Sequence, residues 1–418
     1  MAGLAPRAVA ASCAALLLAG LAALAGSPPE ASGKKRNATT SLFSHSAGGG
    51  TPNGPSTNPV ISGDLHFAQI VAFESLASNL VAGDTNGLKD VFAVRRSGSF
   101  KDDGSAWKPG ATQLVSRGPE GQPADGPSFD PSADGNAQAR AKCVAFLSDA
   151  TNLVAGDTNG VTDAFVGQAP DFKLTRVSLP DGAQATTPTT KVAISGDCSR
   201  AAFVTGGKLY VRRGPTTKLI PTKADPADPQ YDSGDTNALV FGASGGVYLL
   251  DEGASNPKLL VKTGRNPAYI NRRRGGRAHR YLVYETDKSG HSQIGYREIG
   301  SGGERIVTAW KGHNGNGDSR EPTIFSSGVN VAFVSDASNL PTKTNKELGD
   351  KNGLRDAYLW TATQKITILE SVDSDNAPLE AGAQNSSTSY YRNYVVFDSS
   401  ANDLSGVPQI YMRYLGGA

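Results

Sequence analysis

Along most of this chain, short apolar runs alternate with clusters of Gly, Pro, Asp and Ser. Two aliphatic or small residues followed by an aromatic recur as Val71-Ala72-Phe73, Val144-Ala145-Phe146, Ala201-Ala202-Phe203, Leu239-Val240-Phe241, Leu282-Val283-Tyr284, Val331-Ala332-Phe333 and Val395-Val396-Phe397. After each comes a second short run with its own aromatic: Phe92, Phe165, Tyr210, Tyr248, Tyr296, Tyr358 and Tyr411. Tyr296 is irregular, one place beyond the aligned Gly295. Six of these pairs lead into a third run: TQLVSR from Thr112, LTRVSL from Leu174, TKLI from Thr217, PKLLVK from Pro257, ERIVTA from Glu304 and KITILE from Lys365. Ahead of each pair lies another short segment before a turn, such as PVISGD from Pro59 or KVAISGD from Lys191. Short runs bounded by turn residues predict antiparallel strands, four to a unit.

Seven such units predict an all-β propeller, in which each four-stranded blade packs its apolar face on the next. The seventh pair has no following strand because the chain stops at Ala418. The missing strand is found at the other end, where LFSHSAGGGTPNGPS (residues 42–56) aligns without a gap to LVSRGPEGQPADGPS (residues 114–128). An N-terminal strand near Thr39 to His45, paired with the last strand near Ile410 to Tyr414, would complete blade 7 and latch the ring. Blade 4, Leu239 to Lys262, is the tightest unit; without it six blades would remain.

Composition agrees with this reading: 49 Gly and 24 Pro in 418 residues describe a chain rich in turns. Arg7 followed by the apolar run Ala8 to Ala25, ending in Ala-Leu-Ala, reads as a secretory signal peptide over residues 1–25. Residues 26–38 read as a flexible linker and 39–418 as one propeller domain. Loss of Arg7 takes the net charge from +2 to +1, which marks the mature chain for neither nucleic acid nor anionic lipid. The expected location is therefore secreted, periplasmic or cell-surface, with no membrane span after cleavage. Two cysteines then remain, Cys143 and Cys198; an oxidising compartment favours a disulfide between them, with two buried thiols as the alternative.

The stretch VAFLSDATNLVAGDTNGVTDAFV, together with the SADG turn at Ser132 to Gly135, resembles secreted bacterial propellers of the WD40-like (PD40) or TolB-like group. The resemblance covers nearly the whole mature chain and is strongest in blades 1, 2 and 6. It implies a propeller fold more securely than any activity. TolB-like members are often six-bladed with a separate N-terminal domain, and this chain departs from both features.

Blades 1, 2 and 6 repeat an Asp-x-Asn-Gly-x-x-Asp pattern: Asp84, Asn86 and Asp90; Asp157, Asn159 and Asp163; Asp350, Asn352 and Asp356. Oxygens at the first, third and seventh places of a tight loop suit Ca²⁺, and Gly allows the bend. Leu88, Val161 and Leu354 at the fifth place and the lack of a twelfth-place Glu leave any such site incomplete. The competing reading is turn chemistry, in which Asn-Gly makes the corner and Asp caps local N–H groups.

No other motif carries chemistry. Arg272-Arg273-Arg274-Gly-Gly-Arg277-Ala-His279-Arg280 offers guanidinium groups to a carboxylate or polyanion, but reads equally as a solvated hairpin. Gly242-Ala243-Ser244-Gly245-Gly246 fits Gly-x-Ser-x-Gly in letters alone, since it lies between two strands rather than at a strand-to-helix turn. His45, His66, His279, His291 and His313 are scattered, and the sialidase turn Ser-x-Asp-x-Gly-x-Thr-Trp is absent. The expectation is a monomeric, non-catalytic module that binds a protein, peptide or glycan through its loop faces or axial mouth, with no catalytic residues and no required cofactor. An extracellular hydrolase or lyase with its site in the channel is the alternative.

Overall fold

The computed structural model describes residues 38–64, 68–97, 107–325, 328–342, 350, 352–389, 394–400 and 407–415. The signal-peptide segment, nearly all of the linker segment, and His66 lie outside the described residues. The described residues form a seven-bladed β-propeller with blade 4 present.

Blade 1 comprises Ser56–Ile61, Ile70–Ser75, Asp90–Arg96 and Pro109–Leu114, and blade 2 Ser128–Ala133, Cys143–Ser148, Asp163–Gln168 and Lys173–Arg176. Blade 3 follows with Thr189–Ile194, Arg200–Thr205, Lys208–Arg213 and Thr216–Ile220, and blade 4 with Ala227–Tyr231, Leu239–Ala243, Gly246–Leu250 and Lys258–Val261. Blade 5 holds Arg265–Arg274, Arg277–Lys288, His291–Glu298 and Arg305–Ile306; blade 6 holds Ser319–Phe325, Asn330–Ser335, Asp356–Thr361 and Ile366–Leu369. In blade 7, Ser386–Thr388, Tyr394–Ser399 and Gln409–Tyr414 are completed by Thr39–Leu42, which pairs antiparallel from Thr39↔Tyr414 to Leu42↔Tyr411. The first strands touch one another in sequence, and that of blade 7 touches that of blade 1. The ring is closed.

The apolar triplets follow from this packing, because alternate residues of a strand face opposite sides of its sheet. Val71 and Phe73 turn one way, onto Val396, Ile410 and Met412 of blade 7, while Ile70 and Ala72 turn the other way, onto Val144 and Phe146 of blade 2. Each blade thus lays its aromatic face on the aliphatic face of the blade before it, and every one of the seven interfaces has its own apolar cluster. The paired aromatics stack across the second and third strands, as in Phe73–Phe92 at 6.0 Å and Phe203–Tyr210 at 5.3 Å between ring centres. Blade 5 differs: Tyr284 lies opposite Gly295, and Tyr296 stacks instead on Tyr281 at 5.8 Å. A Cβ at Gly295 would lie 2.9 Å from the Tyr284 ring, so the missing aromatic makes room for the one opposite.

In blades 1, 2 and 6 the entry to the first strand is fitted to the corner leaving the second. Ser56 and Ser75, Ser128 and Ser148, and Ser319 and Ser335 meet hydroxyl to hydroxyl at 3.0, 2.8 and 2.8 Å. Gly54, Gly126 and Gly317 sit against the same corners; a Cβ there would come within 2.9, 2.7 and 2.5 Å of the backbone at Leu76, Asp149 and Asp336.

Candidate functional site

The first strands surround an axial cavity of about 490 Å³. Six of them carry a register shift near their start, which leaves an extra residue facing the axis. In five blades that residue is left-handed and precedes proline: Asn58, Asp130, Asp228, Asn266 and Glu321, with φ between 45° and 56°. Proline donates nothing to the ladder, so the pairing breaks at the dipeptide and the bulge sits there. Blade 3 places Lys191 at the shift instead.

Carboxylates from second strands hold this collar together across blade boundaries. Glu74 accepts the N–H of Asp130 (3.1 Å), Glu285 that of Glu321 (2.9 Å) and Asp398 that of Asn58 (3.1 Å). Against these acids stands Lys191, with Nζ 3.8 Å from Asp130 Oδ2 and 3.6 Å from Asp228 Oδ1. Burial works against the Lys191 charge, but Asp130 and Asp228 outweigh it and the pKa is raised. Burial also raises Asp130 and Asp398. Glu321 is pushed to about 7, by burial first and then by the charges of Asp398 and Glu285. The mouth is therefore an acidic collar around one amine.

In consecutive antiparallel order, the second-to-third connections leave the face from which the first strands enter, so the Asp-Asn corners and the collar share one face. Those connections span residues 76–89, 149–162 and 336–355 in blades 1, 2 and 6, but are two-residue turns at 206–207, 244–245 and 289–290 in blades 3, 4 and 5. Blades 6, 7, 1 and 2 are neighbours in the ring, so the three Asp-Asn corners lie along one side of that face.

Within the corners the repeated letters have distinct duties. Gly87, Gly160 and Gly353 have φ of 65°, 65° and 69°, as a tight turn requires. Asn86 donates to Asp90 Oδ2 (2.7 Å) and to Ala124 O (3.0 Å); Asn159 likewise donates to Asp163 Oδ2 (2.8 Å) and Ala185 O (3.0 Å). Asn352 donates to Leu379 O at 3.0 Å. The last Asp opens the third strand and accepts a hydroxyl from beyond the fourth: Ser116 to Asp90 (2.5 Å), Ser178 to Asp163, and Ser371 to Asp356 (2.6 Å). The same hydroxyls accept the N–H of Val91, Ala164 and Ala357. Blades 5 and 7 make this latch with a neutral residue, Gln293 with Thr308 (2.6 Å) and Gln409 with Ser44 (2.9 Å).

The first Asp of each pattern differs from blade to blade. Asp157 pairs with Arg176 at 2.8 Å, whereas Asp84 Oδ1 is buried without a hydrogen-bond partner and Asp350 accepts the N–H of Asn352 at 3.1 Å. Burial raises Asp90 to about 6 and Asp356 to about 7, and the neighbouring Asp84 or Asp350 charge pushes the same way.

Cys143 and Cys198 form a disulfide between blades 2 and 3, with Cα atoms 5.9 Å apart. The Arg-rich run is a long hairpin turning at Gly275-Gly276, and Arg272 is tied to Asp235 at 2.6 Å. It extends from the face opposite the collar. Ser244 lies in the two-residue turn between the second and third strands of blade 4, and its hydroxyl donates to Ala224 O at 3.4 Å. Sequence reasoning missed the axial collar, although the repeated Asn/Asp/Glu-Pro dipeptide was its signal.

No protein-family model matches the chain, and no curated protein matches it in sequence. In fold it is similar to TolB from Acinetobacter baumannii (12% identity over 89% of this chain and 82% of that one, TM-score 0.40). It is also similar to the acylaminoacyl peptidase of Pyrococcus horikoshii (11%, 83% and 49%, TM-score 0.46). A third similar structure is Trypanosoma rangeli sialidase (11%, 91% and 58%, TM-score 0.39). Among the described residues, no helix is long and apolar enough to cross a membrane.

Proposed function

We propose that this protein is a secreted binding module whose axial mouth receives a basic group, a lysine or arginine side chain presented by a protein or peptide partner. The observation that carries this reading is the collar: Asp130, Asp228 and Glu321, backed by Glu74, Glu285 and Asp398, face one amine, Lys191. A guanidinium or ammonium entering there would meet more acceptors than Lys191 alone engages. Several of these carboxylates already stitch blade to blade, so the site is held rigid before a partner arrives.

Thermal shift and calorimetry with arginine amide, lysine amide and neutral oligosaccharides test the reading. Cationic ligands should bind, Asp228→Asn should weaken them, and Lys191→Ala should strengthen them by removing a competing charge. Binding of the oligosaccharides alone, or indifference to both substitutions, would reject it. The alternative, a hydrolase or lyase acting in the channel, is favoured by one observation: Glu321 at about 7 is placed where a general acid works. Turnover of a glycan, lactone or peptide that Glu321→Gln abolishes would establish it.

A further inference from the structure

We propose that blades 1 and 6 each bind a calcium ion between the two aspartates of their corner, Asp84 with Asp90 and Asp350 with Asp356, while blade 2 does not because Arg176 occupies the equivalent place. This goes beyond the axial reading and does not depend on it.

Blade 2 shows the corner with a cation in position. Arg176 Nη1 lies 2.8 Å from Asp157 Oδ1, 3.4 Å from Asp163 Oδ2 and 3.0 Å from Gln184 Oε1, and Nη2 lies 3.4 Å from Gly156 O. Four oxygens converge on one guanidinium. In the sheet register Arg176 stands opposite Phe165, the place that Leu114 takes opposite Phe92 and Leu369 opposite Tyr358. Gln184 precedes the carbonyl that accepts the corner Asn, and its counterparts before Ala124 and Leu379 are Pro123 and Pro378. Blades 1 and 6 thus carry Leu and Pro where blade 2 has Arg176 and Gln184, yet have both aspartates.

Among the described residues, the acids left behind have no basic side chain paired with them. Asp84 is only 7% exposed and its Oδ1 has no hydrogen-bond partner; Asp356 is fully buried and its Oδ2 has none. Burying a carboxylate oxygen unpaired is costly, and a cation is the compensation that blade 2 supplies from its own chain. An all-oxygen donor set selects a hard ion. Two carboxylates fall short of six ligands, so water completes the shell, and Ca²⁺ accepts such irregular geometry where Mg²⁺ does not. Sites of this kind bind at roughly 10⁻⁴ to 10⁻³ M.

Calcium titrated calorimetrically into the chelator-treated full chain should give two equivalents. Asp84→Asn and Asp350→Asn should each lower the count to one. Replacing Arg176 by Leu and Gln184 by Pro together should raise it to three, and Leu114→Arg, which imports blade 2's solution into blade 1, should lower it to one. Melting curves in EGTA establish that each variant is folded before its count is read. The proposal is overturned if no calcium binds up to about 10 mM, if neither Asn variant lowers the count, or if Leu114→Arg folds and leaves it at two. Magnesium binding with equal count and affinity would overturn the choice of ion.

Discussion

Ring closure places an unusual demand on Arg413, which lies in the third strand of blade 7 and is fully buried. Its Nε donates to Glu370 Oε2 at 2.8 Å, Nη1 to Thr40 Oγ1 at 2.8 Å and to Asp373 O at 3.1 Å, and Nη2 to Asn376 Oδ1 at 2.6 Å. One guanidinium therefore ties the N-terminal strand, the C-terminal strand and the link from blade 6. Glu370 is itself 2% exposed, so Arg413→Met breaks a buried ion pair from one side. Breaking such a pair from one side costs about 3–5 kcal/mol, and we expect about 4 kcal/mol here because Thr40 and Asn376 can turn to water. Removing both charges is a different perturbation: Arg413→Met with Glu370→Met should return to within about 1 kcal/mol of wild type. Urea unfolding of the four proteins closes a double-mutant cycle with a coupling energy of at least about 3 kcal/mol, larger by whatever Glu370→Met alone costs. If Arg413→Met alone stays within about 1 kcal/mol of wild type, or the double variant is no better than the single, the guanidinium is not a closure element and the reasoning fails.

Deleting the chain through Ser46 removes the strand Thr39–Leu42 and the buried Phe43 that packs on Trp107, which should cost about 3 kcal/mol or more and open blade 7 to protease; an unchanged melt and digest would refute closure. The Cys143–Cys198 bridge spans 55 residues, so reduction or Cys→Ser at both positions should cost roughly 4 kcal/mol by loop-closure entropy, read as a lower urea midpoint; equal midpoints with and without reductant would contradict it. Burial raises Asp134 to about 8, Asp232 to about 7 and Asp64 to about 6, so in the native state these acids keep protons that the unfolded chain has lost. Their contribution is complete below the unfolded aspartate pKa near 4 and is lost as pH rises through about 6 to 8, so the urea midpoint should be higher at pH 5 than at pH 8. Asp134→Asn should flatten that slope; a slope of opposite sign, or one unaltered by the substitution, would count against the assignment.

Much of the architecture was legible because the structure reuses local solutions, and each reuse leaves letters in the chain. Phe73 and Phe92 recur because every blade needs an aromatic face for its neighbour, and the glycines at 54, 126 and 317 recur because the same corner backbone presses on each. The borrowed strand was visible for the same reason: residues 42–56 had to satisfy the contacts that residues 114–128 satisfy one blade on. What stayed hidden was convergence at the axis. Asp130, Lys191, Asp228 and Glu321 lie far apart in sequence and meet only because seven bulged strands share one centre.

The Asp-Asn corners lie between these cases, since their repetition was legible but its meaning was not. The structure separates two components of the pattern. The latch at the head of the third strand needs only an acceptor for a Ser or Thr hydroxyl, and Gln293 and Gln409 fill that role without charge. Turn chemistry therefore accounts for the Gly, for the Asn, for an acceptor at the last position and for one oxygen of the first Asp, which accepts the N–H two residues on, but not for burying a second carboxylate beside the last one. Blade 2 balances that excess charge with Arg176; blades 1 and 6 carry the same excess with Leu in the arginine's place. Two corners that share the Leu and the Pro and each bury one carboxylate oxygen without a partner, Asp84 Oδ1 in blade 1 and Asp356 Oδ2 in blade 6, are better explained by an external cation than by turn chemistry alone, because an unpaired buried carboxylate oxygen is costly to retain.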